Sequence, residues 1–214
     1  MYTLHYWPDS ASQGLRILLR VIGAPFTEIL IDRENGALDS PAYRALQPLG
    51  KIPALETPDG PVFETAAIFL HLAERHGLAP SATDPQRGAF LSWLFFTSYN
   101  LHAPLMSVFY PERVASDGPE VAARAAGLLR ANFATLDAMA ATPPDWLQGT
   151  KPLPIYLAML VHWLGGFPPG HAAHLTLEDL PHLGPLLAPL ELHPAVAEVC
   201  RDEGLKLTYL SDPY

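Results

Sequence analysis

The run Tyr2-Thr3-Leu4-His5-Tyr6-Trp7 alternates in the manner of a half-buried strand and is broken by Pro8-Asp9. From about Ser12 the period lengthens. Leu15, Leu18, Leu19 and Ile22 share one helical face that ends at Gly23, and Phe26 to Ile31 reads as a second strand. The order therefore opens β-α-β. Ser40-Pro41 starts a short helix by the logic of a cap followed by a first-turn proline. Asp59-Gly60, between apolar runs, predicts a hairpin turn, after which Val62-Phe63 forms a short strand ending at Glu64. Thr65 is expected to cap the next helix, whose period runs through Ala66, Ile68, Phe69, Leu72 and Ala73.

Beyond His76 the pattern changes. Gly77 to Pro85 is rich in Gly, Pro, Ser and Thr, and the sequence after it is helical throughout. Helices are predicted over Pro85 to Tyr110, Pro119 to Ala141, Pro154 to Leu164, Leu177 to Leu190 and Pro194 to Glu203. The fold class expected is an α/β domain of thioredoxin-like type, with a mixed four-stranded sheet, over 1–76. A linker over 77–85 and an all-α helical bundle over 86–214 complete it. The 23 prolines stand mostly at helix starts and joints.

One segment carries chemistry. In Gly50-Lys51-Ile52-Pro53-Ala54-Leu55, Pro53 has no N–H and suits an edge, a bulge or a cis turn; a cis Ile52-Pro53 bond is expected. Such a bond would turn the amide and carbonyl of Ile52 outward, where an extended peptide can pair with them like an added strand. Nearby, the Thr65 hydroxyl and the first free N–H groups of its helix would make a small anion site, and Glu64 adds an acceptor for an ammonium group. Together they suit the two charges of an amino-acid end.

The strand-proline and Glu-Ser/Thr pair, at this spacing, resemble the glutathione transferase superfamily over nearly the whole chain. The resemblance implies glutathione as co-substrate, with Lys51, Ile52 and Pro53 at its cysteinyl part and Glu64 and Thr65 at its γ-glutamyl end. It also implies thiolate attack on a small apolar electrophile, and a homodimer. Isomerisation, peroxide reduction or a non-catalytic binding role on the same fold are the alternatives.

A free thiol with a pKa near 8.5 is only a few per cent ionised at neutral pH, so a donor is needed in the loop after the first strand. Tyr6, Ser10 and Ser12 are the candidates. Tyr6-Trp7-Pro8-Asp9-Ser10-Ala11-Ser12 resembles the Tyr-Ser-Pro-Gly-Ala-Cys-Ser loop of beta-class bacterial transferases, with Ala11 at the cysteine position. Thiol exchange is therefore not expected, and Ser12 is the favoured donor. Ser10, Ser12, Arg16 and Ile17 also match a zeta-class segment, which keeps Ser10 in play. In Trp93 to His102, a similar helix of the beta class places His102 at that class's site histidine, with Ala103 where the family has lysine. His102 would then donate a hydrogen bond or shuttle a proton at neutral pH. Tyr99, Met106, Phe109 and Tyr110, at helical spacing, are the expected substrate pocket.

At Gly149 to Tyr156 the chain resembles the family's capping segment, with Pro154 in place of its aspartate. Thr150 or a first-turn proline must therefore set that helix start.

Composition adds limits. The 214 residues are 49% hydrophobic and 16% charged, enough for a sizeable core, and the longest apolar runs are too short to span a bilayer. A single cysteine, Cys200, excludes an internal disulfide and agrees with a cytoplasmic location. The net charge of -9, without a Lys/Arg cluster, opposes binding to a phosphate backbone, so no nucleic acid and no membrane are expected as partners. His171 and His174 lack an acidic or cysteine partner nearby in sequence, and no metal is expected.

Overall fold

The computed structural model describes residues 1–214. Strands β1 (Tyr2–Tyr6), β2 (Phe26–Leu30), β3 (Ala54–Thr57) and β4 (Gly60–Phe63) form one sheet in the order β2-β1-β3-β4. β1 pairs parallel with β2, Tyr2 opposite Phe26, and antiparallel with β3, Leu4 opposite Leu55. β3 and β4 form the hairpin, Leu55 opposite Val62. Helices α1 (Gln13–Ile22), α2 (Pro41–Leu46) and α3 (Thr65–Arg75) complete a thioredoxin-like domain, and helices follow to Glu203.

Local chemistry sets these bounds. α1 stops at Gly23, which takes the left-handed conformation at φ 68°, where a side chain would be strained. Ser40 caps α2 by accepting from the Tyr43 amide, with Pro41 in the first turn. Pro53 stands just ahead of β3, so the sheet loses no ladder bond to it.

The helical half contains α4 (Arg87–Phe96), α5 (Ala103–Phe109), α6 (Gly118–Ala140), α7 (Pro152–Gly165), α8 (Leu183–Leu187) and α9 (Pro194–Glu203). α7 is apolar all round, and every residue from Pro152 to Leu164 is buried. It is central to the packing, since α1, α3 and α8 all lie against it. Gly14 of α1 permits that approach, because a Cβ there would lie 3.0 Å from the Phe69 ring and 3.2 Å from the Met159 sulfur. One continuous core therefore runs from Leu4 of β1 to Leu210.

Three expectations are corrected. The helix predicted over Pro85 to Tyr110 starts at Arg87 and is interrupted by a π-helical turn at Thr97–His102. The segment Leu177 to Leu190 is not one helix. It is a 3₁₀ turn (Leu177–Asp179), then α8, then a second 3₁₀ stretch (Ala188–Leu192), because Pro181, Pro185 and Pro189 remove a donor every fourth residue. Asp137 of α6 restarts the helix by accepting from the amides of His182 (3.0 Å) and Leu183 (2.8 Å). Finally, Glu64, not Thr65, occupies the N-cap of α3, and its side chain makes no capping bond. At α7 the first-turn Pro152 sets the start without a side-chain cap from Lys151. No helix is long and apolar enough to cross a membrane.

Candidate functional site

A cleft of about 820 Å³ lies between the sheet domain and the helices. One wall is built from the loop after β1, the segment before β3 and the start of α3. The other comes from the π-helical turn, α5 and α7.

The segment before β3 is held by side chains. Gln47, 2% exposed, accepts from the amides of Leu49 (2.7 Å) and Lys51 (3.3 Å), and the Tyr43 phenol donates to the Lys51 carbonyl at 2.7 Å. Burial pushes that phenol up to about 12, so it stays a donor. The Ile52-Pro53 peptide bond is cis. Neither the amide nor the carbonyl of Ile52 enters any backbone hydrogen bond of the chain, and both Ile52 and Pro53 line the cleft. An unpaired peptide group beside a strand is what a bound extended peptide needs.

Next to it, Glu64 sits at φ 71°, ψ 121°, a conformation that costs a non-glycine residue on the order of 1–3 kcal/mol and concentrates at functional sites. This kink brings Glu64 and Thr65 to the cleft together. The first helical bond of α3 runs from Ile68 to the Glu64 carbonyl, which leaves the amides of the first turn available to an anion. Lys51 and Arg33 add positive charge to the same wall.

The loop after β1 separates the three donor candidates. Ser10 lines the cleft. Ser12 does not: it is fully buried, with its hydroxyl 3.0 Å from the Trp7 carbonyl and 2.8 Å from the Ser10 hydroxyl. Ser10 donates to the Trp7 carbonyl at 2.6 Å. Tyr6 also lies away from the cleft, its ring covered by the Arg16 guanidinium at 4.3 Å. The Ser12 hydroxyl is thus enclosed behind Ser10, and Ser10 is the serine of this loop that the cleft reaches.

Met106, Phe109 and Tyr110 line the helical wall, Phe109 stacking on Phe167 at 5.2 Å between centroids. Tyr99 does not belong to it; at 78% exposure it points to the outside of the helix. The Nδ1 of His102 lies 2.7 Å from the Tyr156 phenol, and burial pushes the imidazole down to about 4. It is uncharged at neutral pH, a form in which one ring nitrogen donates a hydrogen bond and the other accepts one.

Several cleft residues were missed by the sequence reading, among them Asp9, Arg33, Gln47, Arg113, Tyr156 and Trp163. Gln47 follows the short α2 in a Pro/Gly-rich loop, and Asp9 follows a proline; both offered a turn signal and no chemical one. Tyr156 and Trp163 lie inside the apolar run of α7, where periodicity says core.

Residues 1–74 match the family model described as glutathione S-transferase, N-terminal domain. Over 109 residues the chain is 34% identical to glutathione S-transferase F9 of Arabidopsis thaliana, covering 48% of this chain and 50% of that protein. Over 92 residues it is 37% identical to elongation factor 1-gamma of Prunus avium, covering 39% of this chain and 21% of that protein. The matched segments thus span half or less of these curated relatives. A solved glutathione transferase homolog from Sulfitobacter, with bound glutathione, superposes with a TM-score of 0.79 at 22% identity, covering 95% of this chain and 98% of that one. The N-terminal domain is therefore of the glutathione S-transferase type, and the whole chain has that fold.

Proposed function

We propose that the protein is a glutathione transferase that activates the glutathione thiol for attack on a small electrophile. The observation that carries this reading is the unpaired Ile52 peptide beside the strained Glu64-Thr65 turn in one cleft. In this reading the cysteinyl residue of glutathione pairs with the main chain of Ile52. Its γ-glutamyl carboxylate meets Thr65 and the free amides of α3, and its ammonium meets Glu64. Lys51 and Arg33 suit the glycyl carboxylate.

Ser10 is the donor to sulfur. A hydroxyl that swings from the Trp7 carbonyl to the sulfur stabilises the thiolate, and Ser12, 2.8 Å behind, takes over that carbonyl or holds the Ser10 oxygen. The thiol proton leaves to solvent, the sulfur lone pair forms the new C–S bond, and the leaving group or a conjugated π system takes the displaced electron pair. With Ala11 in place of a cysteine, the loop offers no thiol for a mixed disulfide.

Retention on immobilised glutathione combined with turnover of chlorodinitrobenzene tests the proposal. Neither retention nor turnover would remove it. Retention without turnover would favour a second reading, a glutathione-binding protein without catalysis, which is motivated by the 2.6 Å bond already occupying the Ser10 proton.

We further propose a cytoplasmic homodimer. Phe63 (39%), Phe95 (57%) and Tyr99 (78%) are large rings left exposed on the single chain, apolar surface that self-association would cover. Light scattering on the purified chain would read the mass directly.

A further inference from the structure

The helical wall of the cleft contains a polar pair, Tyr156 of α7 and His102 at the end of the π-helical turn. Tyr156 is fully buried in α7, its ring stacked on Phe69 at 4.8 Å, and its hydroxyl meets His102 Nδ1 at 2.7 Å. The separation of 2.7 Å is that of an O–H donor and is short for an imidazole N–H donating to oxygen. Burial also raises the phenol, so Tyr156 keeps its proton.

We assign the donor role in this bond to Tyr156, which leaves His102 as the tautomer with its hydrogen on Nε2. That nitrogen has no hydrogen-bond partner in the chain and is not among the enclosed polar atoms, so it opens onto the cleft that His102 lines. The π-helical turn that ends at His102 belongs to a class of helix distortion that recurs at functional sites. The wall therefore presents a single neutral N–H, held in place from behind and surrounded by Met106, Phe109 and Tyr110.

We propose that His102 Nε2–H binds the electrophile's oxygen, so that the site favours conjugated carbonyl compounds over electrophiles that lack an acceptor, such as alkyl halides. The proposal rests on the transferase reading above. Sulfur adds at the β-carbon, forming the C–S bond; the C=C pair shifts toward the carbonyl carbon and the carbonyl pair moves onto oxygen. His102 holds that developing enolate oxygen, as a preorganised donor does in an oxyanion hole. The proton released by the thiol returns from solvent to the α-carbon, and the atoms balance without a further reactant. A neutral donor with low proton affinity stabilises this oxygen without competing for the thiol proton.

Two measurements on the full-length protein test it. Nitrogen-15 NMR of the histidines should show His102 with a pyridine-type Nδ1 and a pyrrole-type Nε2 at pH 7; the reverse assignment overturns the proposal regardless of any activity. In the second, kcat/KM is compared for a conjugated enone and for an alkyl iodide. The ratio of enone to iodide should fall about tenfold or more in His102→Phe, recover largely in His102→Gln, and fall by a smaller factor in Tyr156→Phe. Tyr156→Phe supplies the reading if His102→Phe does not fold. An unchanged ratio with turnover intact overturns the role of His102 alone. Wild-type turnover of neither electrophile overturns this proposal and the transferase reading together.

Discussion

The Trp163 indole donates to the Asp9 carboxylate at 2.8 Å, tying the loop after β1 to α7 across the domain boundary. The Tyr214 phenol adds a second donor at 3.0 Å, and His162 Nε2 lies 3.5 Å away. Asp9 holds a left-handed conformation at φ 46°, which places its carboxylate among these groups at the rim of the cleft. Gly166 makes room for the Tyr214 ring, since a Cβ there would stand 2.4 Å from it.

Burial alone would raise the Asp9 pKa, but the hydrogen bonds from His162, Trp163 and Tyr214 and the attraction of His162 outweigh it and hold the carboxyl below its ordinary value. A depressed folded pKa means stability that is present above the unfolded value of about 3.9 and lost as pH falls through the lower folded value. Asp9→Asn tolerates the left-handed backbone and removes the charge. It should cost about 1–2 kcal/mol at pH 7. Urea midpoints should show that loss at neutral pH and a narrowing gap to wild type below about pH 4.

Arg16, 2% exposed, donates to Glu28 at 2.7 Å and to Glu203 at 2.6 Å, while Arg20 joins Glu28 to Asp202 at 2.9 and 2.8 Å. This network couples α1 and β2 to α9. The Glu203 side chain has no exposed surface, so Arg16→Met would leave it buried without its guanidinium. The expected loss is about 3–5 kcal/mol, and adding Glu203→Gln should recover part of it. A double-mutant cycle by chemical denaturation measures the coupling; strict additivity would show that the pair acts independently.

His102 gives a second pH signature. Its folded pKa of about 4 lies below the ordinary 6.5, so between these values the unfolded chain binds the proton that the folded chain refuses. Stability is therefore full above about 6.5 and declines as pH falls toward 4. His102→Gln should flatten the dependence of the urea midpoint between pH 6.5 and 4, in a different window from Asp9→Asn. An identical slope in wild type and variant would show that His102 does not titrate there.

The sheet domain was legible because its signals are local. Gly23, Ser40-Pro41 and Asp59-Gly60 each fix a turn or an end through their own backbone chemistry, and the strand-proline Ile52-Pro53 and the Glu64-Thr65 pair stand at the ends of local elements that bring all four to one cleft. The helical wall was less so. Tyr99 and Met106 sit on the same periodic pattern, yet the π-helical turn between Thr97 and His102 rotates the faces, so one residue lines the cleft and the other faces away. Asp9, Trp163 and Tyr214 are distant in sequence and meet only through the packing of α7, which no local pattern encodes. The order of Ser10 and Ser12 was also hidden, since both precede α1 and only the loop's path decides which hydroxyl is covered.

That order decides which hydroxyl reaches sulfur. Ser10 faces the cleft, while Ser12 is enclosed and bonded to Trp7 and Ser10. Removing the hydroxyl that contacts a thiolate costs a charged hydrogen bond, about 1.5–3 kcal/mol, which corresponds to roughly 10- to 150-fold in the ionised fraction at a pH below the thiol pKa. Ser10→Ala should lower turnover at about pH 6.5 by that factor, with glutathione KM little changed, and should move the thiolate absorbance titration of the bound glutathione upward. Ser12→Ala should shift the same titration in the same direction by a smaller amount, because it acts on sulfur only through Ser10. A larger shift in Ser12→Ala than in Ser10→Ala would return the donor role to Ser12 and require the loop to rearrange when glutathione binds.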